Sequence, residues 1–212
     1  MSALSQQLEE LKLAMADRLP QEIRDKFAAA TEALKNTGIE DTMAHPGEQF
    51  PDFSLPDATG KQVSLDELIE EGPLVVTFYR GSWCPYCNLE LRAYQDLMGE
   101  ITERDARLVA ISPQKPDQSL SAKEKEGLSF DVLSDTDNRL AEALGIMFPL
   151  AEELRSIYAN FDLNLPDIND VDNWNLPLPA TFVVGMDKTI EWVSADADYT
   201  NRPDPSEVLN HL

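Results

Sequence analysis

Residues 74–87 read LVVTFYRGSWCPYC, an apolar run that leads directly into two cysteines. The run Leu74–Tyr79 is short, rich in β-branched and aromatic residues, and bounded by glycine and proline, a pattern typical of a buried central strand. Apolar residues then recur at mostly helical spacing as far as Ile101, which predicts a helix that begins near the cysteines. The stretch therefore predicts a strand-to-helix junction that carries Cys84 and Cys87.

The position and spacing of the two cysteines have chemical consequences. A thiol at the start of a helix is favoured as a thiolate, because free backbone N–H groups and the helix dipole stabilise an anion. Cys84 occupies that position, and Cys87 lies three residues on, so both sulfurs face the same side of the first turn and can form a disulfide. Pro85 suits the first turn, where its missing N–H is not needed. The pattern predicts an attacking Cys84 and a resolving Cys87.

Strand and helix patterns alternate over the rest of the chain, which indicates an α/β fold with a mainly parallel sheet covered by helices. We predict strands at 107–111, 130–133, 180–184 and 189–193, and helices at 119–127, at 138–144 and from Asp204 onward. The last two strands are expected to form a hairpin. Residues 149–178, rich in proline, asparagine and aspartate, are expected to be an irregular insertion.

Two apolar stripes at helical spacing precede the α/β region. The first consists of Leu4, Leu8, Leu11 and Met15, and the second of Ile23, Phe27, Ala30 and Leu34. They predict a helical hairpin, and we divide the chain into an N-terminal helical extension at 1–42 and a domain at 43–212. The stripes can serve either to pack the hairpin against the domain or to form a dimer contact.

Composition limits the classes of function. The chain has 17 basic and 39 acidic residues in 212, a formal net charge of -22, so binding to nucleic acid or to anionic membranes is disfavoured. The sequence has no apolar run long enough to cross a bilayer, and its N-terminus lacks a signal-peptide pattern. We therefore expect a cytoplasmic protein whose two cysteines form a chemical site rather than a disulfide framework. The alternative is that they are two buried and inert side chains, which would not explain their position at a strand-to-helix junction beside Trp83 and Pro85.

Three further segments accompany the cysteine motif. They are Pro46–Leu55, Leu133–Asp135 and Pro179–Val184. Together with residues 78–87, they resemble peroxiredoxin-like proteins of the alkyl hydroperoxide reductase/thiol-specific antioxidant family, over about His45 to Leu212. The resemblance implies a thioredoxin-like fold, with a central mixed, largely parallel sheet flanked by helices. It also implies that Pro179 is a cis-proline that lies across from the cysteine pair.

The resemblance is incomplete around Cys84. Typical members carry Pro-x-x-x-Thr/Ser-x-x-Cys, and this chain has Thr77 in place of that proline and Gly81 in place of the Thr/Ser. The hydroxyl that helps to seat a peroxide is therefore missing from its usual place, although Ser82 is next to it. Typical thioredoxins have a buried acid six residues before the first cysteine, where this chain has Phe78.

Other residues near the pair have more than one interpretation. Arg80 either stabilises the Cys84 thiolate and a peroxide oxygen or is an ordinary surface arginine. Trp83 shields the sulfur, docks a partner or packs partly into the core. Tyr86 either tunes access to the cysteines or is simply exposed. Pro179 is favoured as an active-site element over an ordinary turn proline, because it directly precedes a predicted strand.

Two weaker possibilities concern residues outside the motif. Trp174 and Asp172 in the insertion either edge a pocket or serve packing and solvation. A zinc site needs four ligands, and the chain has no second cysteine pair to complete one. His45 and His211 lie far from the motif in sequence, so we expect no metal.

The resemblance implies a thiol-dependent peroxidase. The Cys84 thiolate would attack hydrogen peroxide or an alkyl hydroperoxide and become a sulfenic acid. Cys87 would then condense with it to a disulfide that a thioredoxin- or glutathione-type donor reduces. No metal, flavin or nicotinamide cofactor is expected, and a homodimer is a further expectation. The alternatives are a thiol–disulfide oxidoreductase that acts on protein disulfides and a non-enzymatic redox sensor.

Overall fold

The apolar run after Pro73 forms the middle strand of a five-stranded sheet. The structure is a computed structural model that describes residues 3–212 apart from the side chains of Leu120, Ala122 and Glu124. The strands are β1 (Ser54–Pro56), β2 (Gln62–Ser64), β3 (Leu74–Phe78), β4 (Arg107–Ser112), β5 (Asp131–Ser134), β6 (Met147–Pro149), β7 (Asn175–Pro177), β8 (Ala180–Val184) and β9 (Ile190–Ala195). The helices are α1 (Ala3–Arg18), α2 (Gln21–Lys35), α3 (Ile39–Thr42), α4 (Leu65–Leu68), α5 (Pro85–Asp96), α6 (Met98–Thr102), α7 (Pro116–Glu126), α8 (Arg139–Ala143), α9 (Glu152–Asn160) and α10 (Leu165–Asn169), and a 3-10 helix spans Pro205–His211.

The central sheet has the strand order β5-β4-β3-β8-β9. β3 runs parallel to β4, and β4 runs parallel to β5, whereas the pairs β3–β8 and β8–β9 are antiparallel. A mixed sheet is therefore confirmed, but the expectation that it is largely parallel is wrong. The chain enters β8 beside the end of β3, where Ala180 pairs with Phe78, so β8 must run in the opposite direction. A short hairpin then makes β9 antiparallel to β8.

The sheet separates two apolar clusters, because all five residues of β3 are buried and successive side chains point to opposite faces. Val76 and Phe78 belong to the cluster on one face. Val75 belongs to the cluster on the other face, which also contains Cys84 and Cys87. The cysteine pair therefore lies against the sheet rather than on the surface.

The two predicted N-terminal helices are present, and both pack against the rest of the protein. In α1, Leu4 and Leu8 are buried in the cluster that contains the cysteines, and the helix packs on α5. In α2, Ile23, Phe27 and Ala30 pack against α9 and its surroundings. This observation favours packing of the hairpin over a dimer contact as the use of the stripes.

The division of the chain at 42/43 remains a proposal. The proposed boundary coincides with the end of α3 (Ile39–Thr42). Met1 and Ser2 of the proposed extension lie outside the described residues. Within residues 3–212, no helix is long and apolar enough to cross a membrane.

The segment 149–178 is not irregular, contrary to the expectation from its composition. It contains α9 and α10, and the buried side chains of α9 are Leu154, Ile157 and Tyr158. These three residues follow helical spacing, so burial of one face stabilises a helix that the surrounding polar residues conceal in the sequence. At the C-terminus, the Asp204 side chain accepts from Ser206 N, and the predicted helix is a 3-10 helix.

Candidate active site

The cysteine pair lies where the sequence places it, at the turn between β3 and α5. Cys84 is the residue before the first helical position, which Pro85 occupies. The Cys84 N–H donates to the Gly81 carbonyl at 3.0 Å, and the Cys84 carbonyl accepts from Asn88 N at 3.1 Å. The predicted position at a helix N-terminus is therefore found in the structure, and the free N–H groups of the first turn of α5 favour an anion there.

Both thiols are free, and both are buried, with exposed fractions of 1% for Cys84 and 0% for Cys87. Burial disfavours a thiolate, but a hydrogen bond from Cys87 and the charges of Arg80 and Arg202 outweigh it and lower the pKa of Cys84 to about 6. Burial and the donated hydrogen bond both raise the pKa of Cys87. The two cysteines thus differ in protonation state: Cys84 is the thiolate, and Cys87 is the protonated thiol that donates a hydrogen bond to it.

Arg80 is buried, with 3% of its surface exposed, so the interpretation as a surface arginine is wrong. Its guanidinium carbon lies 4.2 Å from the ring centre of Tyr199, 5.2 Å from that of Trp83 and 6.0 Å from that of Tyr158. One of its terminal nitrogens donates to the Tyr158 hydroxyl. Aromatic faces attract a cation, so this cage offsets part of the cost of burying a positive charge beside Cys84.

A second buried arginine approaches the pair from the C-terminal segment. Arg202 Nη2 lies 3.5 Å from Cys87 Sγ, and its Nε donates to the Glu90 carboxylate at 2.6 Å. The two charged side chains are only 1% and 4% exposed. Burial, opposed by Arg202 and reinforced by Cys87, raises the pKa of Glu90 to about 7.

The site residues predicted from the sequence do not include Arg202, Glu90, Tyr158 or Tyr199. Glu90 lies one helical turn after Cys87 on α5, a spacing that could have indicated it. The other three residues are far away along the chain and follow no motif. Only the fold brings them to the cysteines.

Gly81 explains why the hydroxyl residue of the family pattern is missing. Its φ is +145°, a conformation that residues with a side chain rarely adopt. A Cβ atom added there would lie 2.3 Å from Trp83 Nε1. The neighbouring Ser82 donates its N–H to Gln114 Oε1 at 2.6 Å, and its carbonyl accepts from Asn88 Nδ2 at 2.8 Å. The indole of Trp83 therefore takes the place of a Thr or Ser side chain at position 81.

The remaining predicted residues surround the pair to different degrees. Trp83 is half-buried and packs edge-on against Tyr158, with ring centres 5.6 Å apart. Tyr86 is 5% exposed, so the interpretation that it is exposed is wrong, because it packs against α1 and Tyr199. Pro85 is exposed.

Pro179 lies beside the site, between β7 and β8, and lines a cavity together with Arg80. No peptide bond among the described residues is cis, so the expected cis isomer is wrong. Trans is the preferred isomer of an X–Pro bond, and the chain passes through Pro179 from one strand directly into the next.

The weaker sequence candidates outside the motif, His45, Asp172, Trp174 and His211, are not among the residues that contact the cysteine pair. Asp172 is exposed, and Trp174 packs beneath Arg155, whose guanidinium carbon is 5.9 Å from its ring centre. His211 stacks on Trp192, and His45 Nε2 lies 3.1 Å from the Asp41 carbonyl. In the described part of the chain, no three side chains of His, Cys, Asp or Glu are close enough to hold a metal ion.

Two cavities are lined by residues that surround the cysteine pair. The first has a volume of about 220 Å³ and is bounded by Arg80, Tyr158, Pro179 and Tyr199 at one end. The second has a volume of about 190 Å³ and is lined by polar groups that include Glu90 and Arg202. Cys84 lines neither of them. The reactive sulfur is therefore closed off by its own charged and aromatic neighbours.

The chain is similar in sequence to known thiol oxidoreductases. The model of the AhpC/TSA family matches residues 46–193, more than half of the 212-residue chain. The chain is similar to peroxiredoxin Bcp of Escherichia coli (35% identity over 100 residues, 47% of this chain and 64% of that protein). It is also similar to thiol-disulfide oxidoreductase ResA of Halalkalibacterium halodurans (31% identity over 106 residues, 50% of this chain and 59% of that protein). The chain thus matches less than two thirds of the length of either relative.

The fold of the chain is also similar to solved structures. The crystal structure of peroxidoxin BcpB from Mycobacterium tuberculosis superposes with a TM-score of 0.62 at 23% identity, and the match covers 79% of this chain and 95% of that one. At that identity the likeness concerns the fold. It confirms a thioredoxin-like fold built on a central mixed sheet with helices on its faces.

Proposed function

Because the chain belongs to the AhpC/TSA family, we propose that it is a thiol-dependent peroxidase whose attacking group is the Cys84 thiolate. The observation that carries the proposal is the environment of that sulfur. Cys84 lies at a helix N-terminus, accepts a hydrogen bond from Cys87 and is flanked by the charges of Arg80 and Arg202, which together hold its pKa at about 6. At neutral pH the attacking sulfur is therefore an anion before any substrate arrives.

The first step reduces the peroxide. The Cys84 thiolate attacks the terminal oxygen of a hydroperoxide, the O–O bond breaks, and the electron pair leaves with the second oxygen. That oxygen takes up a proton and departs as an alcohol, or as water when the substrate is hydrogen peroxide. Cys84 is oxidised to a sulfenic acid. Arg80 supplies the positive charge next to the departing oxygen, where negative charge develops.

The second step uses Cys87. Its sulfur attacks the sulfenic sulfur of Cys84, a disulfide forms, and water is released. Cys87 must lose its proton on the way, and Arg202, with Nη2 3.5 Å from its sulfur, stabilises the charge that develops there. The buried Glu90 carboxylate fixes Arg202 in that position through the 2.6 Å hydrogen bond. An external donor then supplies two electrons by thiol–disulfide exchange and restores both thiols: either one thioredoxin-type dithiol or two glutathione-type thiols, which leave as a disulfide.

Access to Cys84 requires a local movement. The sulfur is 1% exposed, and the apolar cluster around it includes Leu4 and Leu8 of α1. Arg80 and Tyr199, which stack on one another, also lie close to the sulfur. A peroxide, and later the reductant, reaches the sulfur when one of these elements moves. Dimer formation and a cytoplasmic location remain predictions.

Rapid-mixing kinetics test the proposal. The reduced protein is expected to consume hydrogen peroxide or cumene hydroperoxide much faster than a small free thiol at the same pH. Cys87→Ser is expected to accumulate a sulfenic acid on Cys84, detected by a sulfenic-acid reagent and mass spectrometry, whereas Cys84→Ser is expected to be inactive. Peroxide consumption no faster than that of the free thiol, or oxidation that begins at Cys87, would contradict the proposal.

A second candidate is a thiol–disulfide oxidoreductase. Two observations favour it. Cys84 and Cys87 are one helical turn apart, and the hydroxyl that usually helps to bind the peroxide is absent, because Gly81 packs beneath Trp83. The similarity to thiol-disulfide oxidoreductase ResA also favours this second candidate. Rapid reduction of a model protein disulfide by the reduced protein, combined with slow peroxide consumption, would select this function.

A further inference from the structure

The carboxylate of Glu90 and the sulfur of Cys87 share one edge of the Arg202 guanidinium. Arg202 Nε donates to Glu90 Oε2 at 2.6 Å, and Arg202 Nη2 lies 3.5 Å from Cys87 Sγ. Nε and Nη2 belong to one planar, rigid fork, so the carboxylate and the thiol are neighbours along it. The two residues are also one helical turn apart on α5. Glu90 therefore lies beside the thiol that must lose its proton in the second step.

Glu90 and Arg202 also line the polar cavity of about 190 Å³. The other polar side chains in the lining are Thr181, Ser194, Asp196 and Asn201. A polar cavity of this size can hold several water molecules, since each occupies about 30 Å³ in the liquid. Cys87 is 0% exposed and does not line the cavity. Glu90 therefore connects a thiol that is shielded from water to a space that can hold water.

Burial and a single strong ion pair set the charge of Glu90. Arg202 is its ion-pair partner, Cys87 and Tyr94 lie one turn away on α5, and Asp196 lines the same cavity. Burial outweighs the attraction of Arg202 and raises the pKa of Glu90 to about 7. A carboxyl group with that pKa can both take up and release a proton at neutral pH.

The described charged side chains on the helices that pack against α5 are exposed or act on other groups. Glu9 on α1 acts on Tyr86, and Glu126 on α7 pairs with Arg92. The exposed ones include Glu100 on α6 and Glu207 on the 3-10 helix. Arg202 therefore provides the main charge that acts on Glu90.

Oxidation of Cys84 changes the charge around Cys87. In the reduced protein, the Cys84 thiolate repels a second anion and accepts the hydrogen bond of Cys87, and both effects raise the pKa of Cys87. A sulfenic acid at Cys84 is neutral and weakens both effects, whereas Arg80 and Arg202 still lower that pKa. Loss of the Cys87 proton is therefore favoured after Cys84 has been oxidised, and this proton needs an acceptor.

We propose that Glu90 takes up the proton of Cys87 when the disulfide forms and releases it to the polar cavity. The proposal rests on the proposed function and assigns the proton acceptor of its second step. The Cys87 proton moves to the Glu90 carboxylate, and the thiolate attacks the sulfenic sulfur of Cys84. The S–S bond forms as the S–O bond breaks, and hydroxide leaves with the electron pair. The proton that Glu90 releases converts this hydroxide to water, so the step consumes no net proton.

The pH dependence of disulfide formation tests the proposal. Reduced protein is mixed rapidly with hydrogen peroxide, and the fluorescence of Trp83, next to Cys84, should resolve oxidation from a slower phase that does not depend on peroxide concentration. In the unmodified protein, the rate of this slower phase should level off above a pH of about 7, where Glu90 is ionised. Glu90→Gln should slow it about 100-fold at neutral pH, and the rate should then rise with pH without a plateau.

The same variant distinguishes proton uptake from a purely positioning role. The amide of Glu90→Gln can still accept the hydrogen bond from Arg202, but it carries no charge. If Glu90 only held Arg202 in place, loss of its negative charge would stabilise a Cys87 thiolate, and disulfide formation would be as fast as in the unmodified protein or faster. That outcome would overturn the proposal.

Two further variants complete the comparison. Glu90→Asp restores a carboxylate and is expected to recover part of the rate and the plateau. The matched control is Glu126→Gln, which removes a carboxylate that pairs with Arg92 on the same helix at 2.8 Å. It should leave the rate of disulfide formation unchanged. A slow phase that is impaired equally in Glu126→Gln and Glu90→Gln would overturn the proposal.

Disulfide formation without peroxide separates this proposal from the proposed function. Reduced protein reacts with dipyridyl disulfide and releases one pyridinethione when Cys84 attacks and a second when Cys87 displaces it from Cys84. If the protein consumes no peroxide, the proposed function fails, and the second release decides the role of Glu90. A second release that is slower in Glu90→Gln supports the proposal, and an equal rate overturns it.

Infrared spectroscopy of the unmodified protein keeps the proposal testable if Glu90→Gln does not fold, as judged by circular dichroism. With isotope-labelled glutamate, a band of a protonated carboxyl group is expected that disappears as the pH rises through about 7. Exposed glutamates titrate near 4.3, about three pH units lower. Absence of a glutamate band that titrates near 7 would overturn the proposal.

Discussion

The charge state of Cys84 depends on two arginines that come from opposite ends of the domain. Arg80 lies two residues after the end of β3, and Arg202 lies in the last segment before the 3-10 helix. Each is buried, and each has its own support, an aromatic cage for Arg80 and Glu90 for Arg202. Because both contribute to the low pKa of the sulfur, removing either one should return Cys84 part of the way toward an ordinary thiol.

Replacing Arg80 by Met is predicted to raise the pKa of Cys84. In the parent protein the thiolate predominates above a pKa of about 6, so reactivity should be full at neutral pH and be lost as the pH falls through about 6. Arg80→Met should move this inflection upward by about one unit or more, equivalent to about 1.4 kcal/mol per unit. The measurement is the rate of Cys84 alkylation against pH in a Cys87→Ser background, which leaves one titrating thiol. The reference is Cys87→Ser alone, because this substitution also removes the hydrogen bond that Cys87 donates to Cys84.

The matched control for that experiment is Arg107→Met. Arg107 lies at the start of β4, and its guanidinium donates to the Glu67 carbonyl, far from the cysteine pair. Its replacement should leave the inflection in place. An unshifted inflection in Arg80→Met would show that the charge of Arg80 does not stabilise the thiolate.

Restoring the hydroxyl of the family pattern is predicted to harm this protein. Gly81→Thr would force a β-branched residue to adopt φ of +145° and would place its Cβ 2.3 Å from Trp83 Nε1. Backbone strain of this kind costs about 1–3 kcal/mol, and the displaced indole adds to that cost. Denaturant unfolding should show the loss in the free energy of unfolding, and peroxide reduction should not become faster. A stable and more active Gly81→Thr variant would show that Trp83 can move aside at little cost.

At the scale of the elements, α1 is predicted to control access to the sulfur. Leu8 is buried in the cluster that contains Cys84, whereas Leu13 on the same helix is 61% exposed. Leu8→Ala should weaken the contact between α1 and α5, at a cost in stability of about 2–5 kcal/mol if the site cannot collapse. Alkylation of Cys84 by a bulky reagent should then become faster.

Leu13→Ala is the control for the access experiment, because it shortens an exposed side chain on the same helix. It should change neither stability nor the alkylation rate. Equal alkylation rates in the two variants would mean that α1 does not limit access, and that the movement belongs to the segment with Tyr199.

The sequence is informative about elements that have a local signature. β3 and α5 could be predicted, because a β-branched run and a proline at the first helical position are decided by neighbours in the chain. By contrast, α9 is short and surrounded by polar residues, and its apolar face becomes evident only when α2 packs against it. The direction of β8 also has no local signature, because it depends on where the chain re-enters the sheet.

The candidate site likewise contains some residues that a local pattern indicates and others that only the fold brings together. Cys84, Cys87 and Arg80 follow one another within the motif, so their meeting could be predicted from the sequence. The contact between Arg202 and Cys87 joins residues 115 positions apart, and no local pattern indicates it. The burial of the pair was likewise not evident, because α1 supplies part of the cover.

At the scale of the whole molecule, two buried arginines beside the cysteine pair are enclosed by a strongly acidic protein. The formal net charge is -22, whereas Arg80 and Arg202 are the charges nearest to the sulfurs. The electrostatic field of this net charge does not affect the approach of a neutral hydroperoxide. An anionic one is repelled before it can reach the arginines, and salt weakens that repulsion because the Debye length shortens to about 8 Å at physiological ionic strength.

The rate of Cys84 oxidation is therefore predicted to depend on salt only for charged substrates. For hydrogen peroxide and cumene hydroperoxide, the second-order rate constant should be the same in dilute buffer and at physiological ionic strength. For a cumene hydroperoxide that carries a ring carboxylate, it should be lower in dilute buffer and rise severalfold with added salt, because steering effects on association span about 10- to 1000-fold. A carboxylate substrate that reacts faster in dilute buffer would show that the field of the two buried arginines, rather than the net charge, governs the approach.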